Sequence, residues 1–371
     1  MVFLATVPAC GFHSSSNPNG GQDANGGDAT IDATPDASGP EYGTFIKVGF
    51  PSISDVPTAT ITWTNNMTID TDGSCDTRNN QASRYCVIVG SSITLASGKT
   101  LTVHGSKPLV LLATSTFDLE GTIDVSSKRG GTPGAGAATS CPNTTAAAGN
   151  SGGFGGSFGG KGGDGGTIAG ATPDGTKGIA APALPTLPTY LRGGCPGGNG
   201  SSTTAGTAPA GGSGGGAVLI IAVNMIQMNG TINASGAGGR GGPMIESGGG
   251  GGGSGGMIVL DTPLIVPGAG PIWLFANGGG GGQGGTGSGA ASGPGADGQE
   301  SSAPLTVGTG GSSSKSGGNG GDGAAGAQAA SDSGTASNSG GGGAGGGGAG
   351  FIRTPLIAGI NVLISPAPIA P

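Results

Sequence analysis

Between residues 248 and 260 the chain reads GGGGGGSGGMIVL, nine positions of almost unbroken glycine running straight into four that suit a buried strand. Glycine loses more backbone freedom on ordering than any other residue, and 90 of the 371 residues are glycine. Such runs are either slack linker or places where no side chain fits. Charged residues make up 9% of the chain and aromatics 4%, too few for an ordinary globular core. The apolar residues gather instead in short runs, PLVLLA (108–113), AVLIIA (217–222) and MIVL (257–260), each followed by alternation and then glycine. That pattern predicts strands. No apolar run approaches the roughly 20 residues of a membrane-spanning helix. With 13 Lys plus Arg against 20 Asp plus Glu there is no basic stripe to release counterions, which excludes nucleic acid as a partner.

The strands repeat. PLVLLATSTFDLEGTIDVSS (108–127) aligns with AVLIIAVNMIQMNGTINASG (217–236), and within each copy alternate positions are apolar: Phe117, Leu119, Ile123 and Val125, then Ile226, Met228, Ile232 and Ala234. Period two places them on one strand face. YCVIVGSSITLASGKTLTVHG (85–105) is an upstream copy, and looser copies stand at 256–278 and 350–366. Units of this size cannot bury a face alone but can stack on their neighbours, so about five rungs of a strand solenoid are expected. The pattern resembles the pectate-lyase-like right-handed parallel β-helix proteins. That resemblance implies a single-stranded parallel β-helix with Ile123 over Ile232 and Leu111 over Ile220, and Asp124 beside Asn233 and Glu120 beside Asn229 outside.

Glycine enters at one corner of the repeat, after GTIDVSS or GTINASG and before the next apolar strand, giving insertions at 130–216, 236–256 and 278–350. In FGGKGGDGGT (158–167) the non-glycines recur every third residue, as they do in AGGRGGP (237–243) and SGGNGGD (316–322). Three residues per turn is the period of extended polyproline-type helices, here of polyglycine type, and glycine at two positions of three lets such helices approach closely. Mobile glycine loops are the other reading. GGGGAGGGGAG (340–350) keeps no triplet period and reads as slack. Composition is similar to that of PGRS-type glycine-rich surface proteins.

Residues 1–10 end in VPAC and resemble a bacterial lipobox, which implies Cys10 as a lipidated first residue of the mature chain. An ordinary free or buried cysteine is the alternative. Residues 11–40 read as a solvated tether, and residues 41–371 as the β-helix domain. Setting Cys10 aside leaves four cysteines. Of their three connectivities, Cys75 with Cys86 and Cys141 with Cys195 each close an excursion without spanning the core. Disulfides place the chain in an oxidising, extracytoplasmic compartment, an outer membrane or cell surface, with the membrane reached only through the lipid.

Chemistry is sparse. No CxxC or EF-hand spacing supports a metal, and no motif calls for a cofactor. Asp118, Glu120 and Asp124 alternate on one predicted face and would be the acids of a polysaccharide lyase or hydrolase, but their counterparts Gln227, Asn229 and Asn233 are uncharged. His104 aligns with Ser126 without an acid implicated. The tether's aspartates and the threonines of TATITWT (58–64) read as solvated surface. No catalytic residue is assigned. The expected function is that of an adhesin or structural envelope component meeting polysaccharide or an envelope surface, with a carbohydrate-active enzyme as the alternative.

Overall fold

The computed structural model describes residues 39–168, 175–203, 208–243, 246–286, 293–314, 316–336, 340–359 and 361–371, so Cys10 and nearly all of the tether lie outside the described residues. The strands are β1 (Glu41–Tyr42), β2 (Val48–Gly49), β3 (Ile61–Trp63), β4 (Met67–Asp70), β5 (Cys86–Leu95), β6 (Thr100–His104), β7 (Leu109–Leu119) and β8 (Thr122–Asp124). They continue as β9 (Ala217–Ala222), β10 (Met225–Met228), β11 (Thr231–Asn233), β12 (Met257–Asp261), β13 (Ile265–Pro267), β14 (Ile272–Phe275), β15 (Phe351–Arg353) and β16 (Val362–Ser365). The only helical element among the described residues is a single 3-10 turn, Ile53–Asp55. The fold is all-β.

Apart from the β1–β2 hairpin, every strand pairing is parallel. One sheet of eight strands follows the order β13-β10-β7-β9-β12-β15, with β5 joining β3 to β7. The second, of six strands, runs β16-β14-β11-β8-β6-β4. The long β7 serves two partners, Leu109–Ala113 pairing with β9 and Thr116–Leu119 with β10. The register matches the sequence repeat: Ile123 pairs with Ile232, Leu111 with Ile220, and Ile93 with Phe117. Six strands in the second sheet make one level more than the repeat suggested. The additional level is β3 with β4, too short and too exposed to show a repeat.

The two sheets enclose one apolar core, in which Ile93, Leu101, Phe117, Ile123, Ile232 and Leu274 are fully buried. The first sheet is buried on its other face too. Val110, Leu112, Leu219 and Val259 meet Ile46, Val48 and Phe50 from the N-terminal hairpin, together with Phe158 and Leu191 from the first glycine-rich insertion. That double burial explains why the first half of each repeat is continuously apolar rather than alternating.

All three insertions connect the second sheet back to the first, from β8 to β9, β11 to β12 and β14 to β15. They are ordered. In the 247–256 run, the N–H groups of 248, 251 and 254 donate to the carbonyls of 201, 198 and 195. Those of 249, 252 and 255 donate to 342, 345 and 348, and those of 250, 253 and 256 to 240, 237 and 234. Donors thus point in three directions repeated every third residue, the threefold period of a polyproline-type helix. The same run's carbonyls accept from three further segments, 153–156, 212–215 and 279–285. Six neighbours surround it.

The 278–285 and 340–350 runs are surrounded in the same way, and the three runs hydrogen-bond to one another. Around them the segments at 150–156, 195–201, 209–215, 234–242, 295–299, 308–311, 318–324, 331–334 and 160–166 form a closed ring, each bonded to the next and the last to the first. The result is a hexagonally packed block. The 340–350 run, expected to be slack, is one of its three interior members. Its triplet period is missing because all its sides are covered, whereas a Gly-Gly-X segment keeps one side free for X: Lys161, Arg240 and Asn319 are exposed.

Spacing at interior glycines of the block leaves no room for a side chain. A Cβ on Gly252 would sit 2.0 Å from the Gly279 carbonyl oxygen, and one on Gly345 2.0 Å from that of Gly163. At Gly131, by contrast, the nearest atom to an added Cβ is 3.5 Å away. Gly252→Ala is therefore expected to destabilise by about 1–3 kcal/mol or more, as overpacking does, and Gly131→Ala by less than about 0.5 kcal/mol. In the β core, Ile232→Asp places an unpaired charge in the Ile123–Ile232–Leu274 column and should cost about 4 kcal/mol or more, while Thr231→Asp on the outward side should cost under about 1 kcal/mol. Thermal melts of the four variants test both contrasts.

Candidate functional site

Of the acids singled out in the sequence, Asp118 and Glu120 stay neighbours while Asp124 is parted from them. Asp118 lies in β7 of the first sheet and Asp124 in β8 of the second, because the chain turns at Gly121 between them. Asp124 accepts the backbone N–H and the hydroxyl of Ser126 and pairs with Lys128 at 3.8 Å. Ser126 is therefore hydrogen-bonded to Asp124, and among the described residues no hydrogen bond joins it to His104. Asp118 pairs in register with Thr94 and Gln227, and its Oδ1 is buried without a hydrogen-bond partner. Burial, reinforced by the neighbouring charge of Glu120, holds its carboxyl above the usual aspartate range.

The most developed concavity lies elsewhere, between the N-terminal hairpin and the ends of β9, β12 and β15, with a volume near 560 Å³. The Asp261 carboxylate ties the hairpin loop to β12, accepting from Thr44 N–H at 2.5 Å, Thr44 Oγ1 at 2.8 Å and Phe45 N–H at 2.9 Å. Across the groove the Arg353 guanidinium lies 5.0 Å from the Phe45 ring centroid and has no acidic partner among the described residues. Tyr42 and Pro263 complete walls that are largely apolar. The volume falls in the range of small-ligand sites, and a stacked guanidinium suits an anionic or ring-bearing group. Composition gave no sign of this groove, since its residues come from the distant stretches 41–47, 221–223, 259–263 and 353–355, with Pro371, and none forms a motif.

Both disulfides expected from spacing are present, Cys75–Cys86 and Cys141–Cys195. The second ties an outer loop to the ring segment 195–201. Arg192 sits beside it, with Nη2 3.5 Å from Cys141 Sγ and its guanidinium 5.0 Å from the Phe158 ring centroid. Among the described residues no group of three or more His, Cys, Asp or Glu side chains is placed to hold a metal ion, and no helix is long and apolar enough to cross a membrane.

The outer surface of the block is trimmed by carboxylates that take up backbone donors at its rim. Asp297 Oδ1 accepts the Gly241 N–H at 2.7 Å, and Asp322 Oδ1 accepts that of Gly310 at 2.7 Å. Asp164 accepts the Ala180 N–H at 3.1 Å and pairs with Lys177 and Lys161 at 3.3 and 3.5 Å. Burial opposes ionisation of Asp164, but the Ala180 hydrogen bond and the two lysines outweigh it and lower its pKa. No protein-family model, curated protein or solved structure matches the chain.

Because the folded pKa of Asp118 is raised, its charge works against folding once the pH climbs above the unfolded aspartate value near 3.8. Asp118→Asn should raise the melting temperature at pH 7, with the gain fading as the pH falls below about 4. On a loop-closure basis, with sequence separations of 54 and 11, losing Cys141–Cys195 should cost about 4 kcal/mol and losing Cys75–Cys86 about 3 kcal/mol. Denaturant titration of Cys141→Ser/Cys195→Ser and Cys75→Ser/Cys86→Ser checks the order.

Proposed function

We propose that the protein is an extracytoplasmic surface or envelope lipoprotein, anchored through Cys10, that acts as an adhesive or structural module. On this reading the two parallel sheets are the faces of a single-stranded parallel β-helix of the pectate-lyase-like kind, and the glycine-rich insertions form a slab of polyglycine-type helices on its side. The slab is the observation that carries the reading. Three interior runs and a complete ring around them order long stretches of backbone at a high entropic cost. What such a block supplies is a stiff, side-chain-poor body whose rim presents Lys161, Arg240 and Asn319 at spaced positions. The two disulfides fit an oxidising compartment.

A carbohydrate-active enzyme is the second reading, favoured by the raised pKa of Asp118 beside Glu120. The two are separated by comparing the full chain with a rim variant, Lys161→Ala/Arg240→Ala/Asn319→Ala, and an acid variant, Asp118→Asn/Glu120→Gln, for attachment to envelope polysaccharide and for polymer shortening. The adhesive reading expects the rim variant to keep its fold and lose at least about half of the attachment, with the acid variant unaffected. Polymer shortening that disappears in the acid variant would replace it with the enzyme. Palmitate labelling should mark the wild type and not Cys10→Ser.

A further inference from the structure

Of the nine ring segments, three touch two interior runs each, namely 150–156, 234–242 and 318–324, and so lie set back between their ring neighbours. Each recess marks the next position of the hexagonal pattern. Over 150–156 the chain fills it with its own segment: Gly165 donates to the Gly178 carbonyl and Gly178 to that of Gly152. Over 318–324 side chains bridge it, with Asp322 Oδ1 taking the Gly310 N–H and Ser331 Oγ taking the Asp322 N–H at 2.7 Å.

Among the described residues the third recess, over 234–242, is filled only in part. At the end nearer the sheets Arg129 lies in it, its Nη1 donating to the Gly298 carbonyl and its Nε 3.2 Å from Asp297 Oδ2. Beyond Arg129 it opens into a furrow of about 890 Å³ lined by Ala208, Ala210, Arg240, Gly241, Ala296 and Asp297. The floor carries backbone groups in the directions that bind neighbours elsewhere in the block. Arg240 N–H donates to Ala210 and Gly242 N–H to Gln283, whereas Gly241 N–H, facing the furrow, meets the Asp297 carboxylate. Among the described residues the Ala210 N–H and the Gly241 and Gly295 carbonyls have no partner.

We propose that this furrow is a binding site for one further extended glycine-rich strand of Gly-Gly-X type, supplied by a partner molecule. Arg129 and Asp297 stand where such a strand would otherwise provide a donor and an acceptor. The strand extends the block as an added β-strand extends a sheet edge, through main-chain hydrogen bonds. Glycine is required wherever the strand faces the floor, because the spacing that excludes a Cβ within the block applies to its next member. X faces solvent between Arg240 and Asp297. The proposal stands independently of the adhesive reading.

The test is titration of the 15N-labelled full chain with the peptide (Gly-Gly-Asn)4 and, as control, (Ala-Ala-Asn)4. With only three or four backbone hydrogen bonds available, saturable shifts of the Ala210 and Gly241 amides with a Kd of about millimolar are expected for the first peptide and none for the second. Ala210→Pro removes an N–H that has no partner among the described residues, at a position exposed to solvent, and should weaken binding at least tenfold without changing the melting temperature. Ala296→Trp, at a half-buried position in the furrow wall, fills the furrow and should abolish binding. Absence of saturable shifts, equal response to both peptides, or unchanged affinity in both variants would overturn the proposal. So would shifts produced by a neutral oligosaccharide and not by (Gly-Gly-Asn)4.

Discussion

The interaction on which the molecule depends is a backbone N–H donating to a backbone carbonyl of another run at 2.7–3.2 Å, repeated every third residue with nothing between the chains. A side chain added at an interior glycine such as Gly252 runs into the facing carbonyl, whereas Ala344 and Ser254 are interior positions that keep their backbone hydrogen bonds. Where polar side chains do enter, they replace backbone partners. Gln283, fully buried, accepts from Ala296 N–H and Ser313 Oγ through Oε1 and donates from Nε2 toward Asn319 Oδ1, Ser313 O and Gly317 O. Ser254 Oγ accepts the Cys195 N–H at 2.8 Å. Both residues keep the rule that buried polar groups are paired.

The block and the sheets form one hydrogen-bonded system. The 209–215, 247–256 and 340–350 runs lead into β9, β12 and β15, and they lie side by side in the order of those strands. Gly255 donates to Gly348 just before Met257 pairs with Phe351. On the other side, β11 and β14 run out into 234–242 and 278–285, where Gly236 donates to Asn277 and Gly239 to Gly280. Parallel sheet pairing thus continues past the apolar core as parallel glycine pairing. What changes at the boundary is what lies between the two sheets: apolar side chains on one side, and on the other the packed backbones themselves.

Much of this was legible in the sequence. The match of Gly121-Thr122-Ile123 with Gly230-Thr231-Ile232 gave the true register, the insertion corner is where glycine was seen to enter, and the three Gly-Gly-X stretches fall on three of the nine ring segments. The misreading of 340–350 has a plain cause. Period three reports one uncovered side, so a run covered on every side loses the signal and resembles a linker. Asp118 and Asp124 were expected on one face because period two was carried through Gly121, where the chain changes sheets. The groove beside Arg353 and Phe45 could not be seen, since it depends on the N-terminal hairpin folding back on strands more than 200 residues away.

Ordering a residue costs about 1–2 kcal/mol of backbone entropy, at the upper end for glycine, and one hydrogen bond returns a net of about 1 kcal/mol. Glycine adds almost no apolar area, so an isolated run has nothing else with which to offset that cost. Nor are its contacts local: 249 bonds to 342, 153 to 249 and 163 to 346. Long-range closure must come first and is rewarded only afterwards. The apolar columns of the two sheets supply it, because pairing β9, β12 and β15 fixes the three runs that feed them in their final spacing. The block is therefore conditional on the core, with the Cys141–Cys195 bridge and the packing of Phe158 against Phe351 at 5.0 Å holding its first insertion to the sheet. Damage to the core should dissolve the block, whereas damage at the rim leaves the core standing.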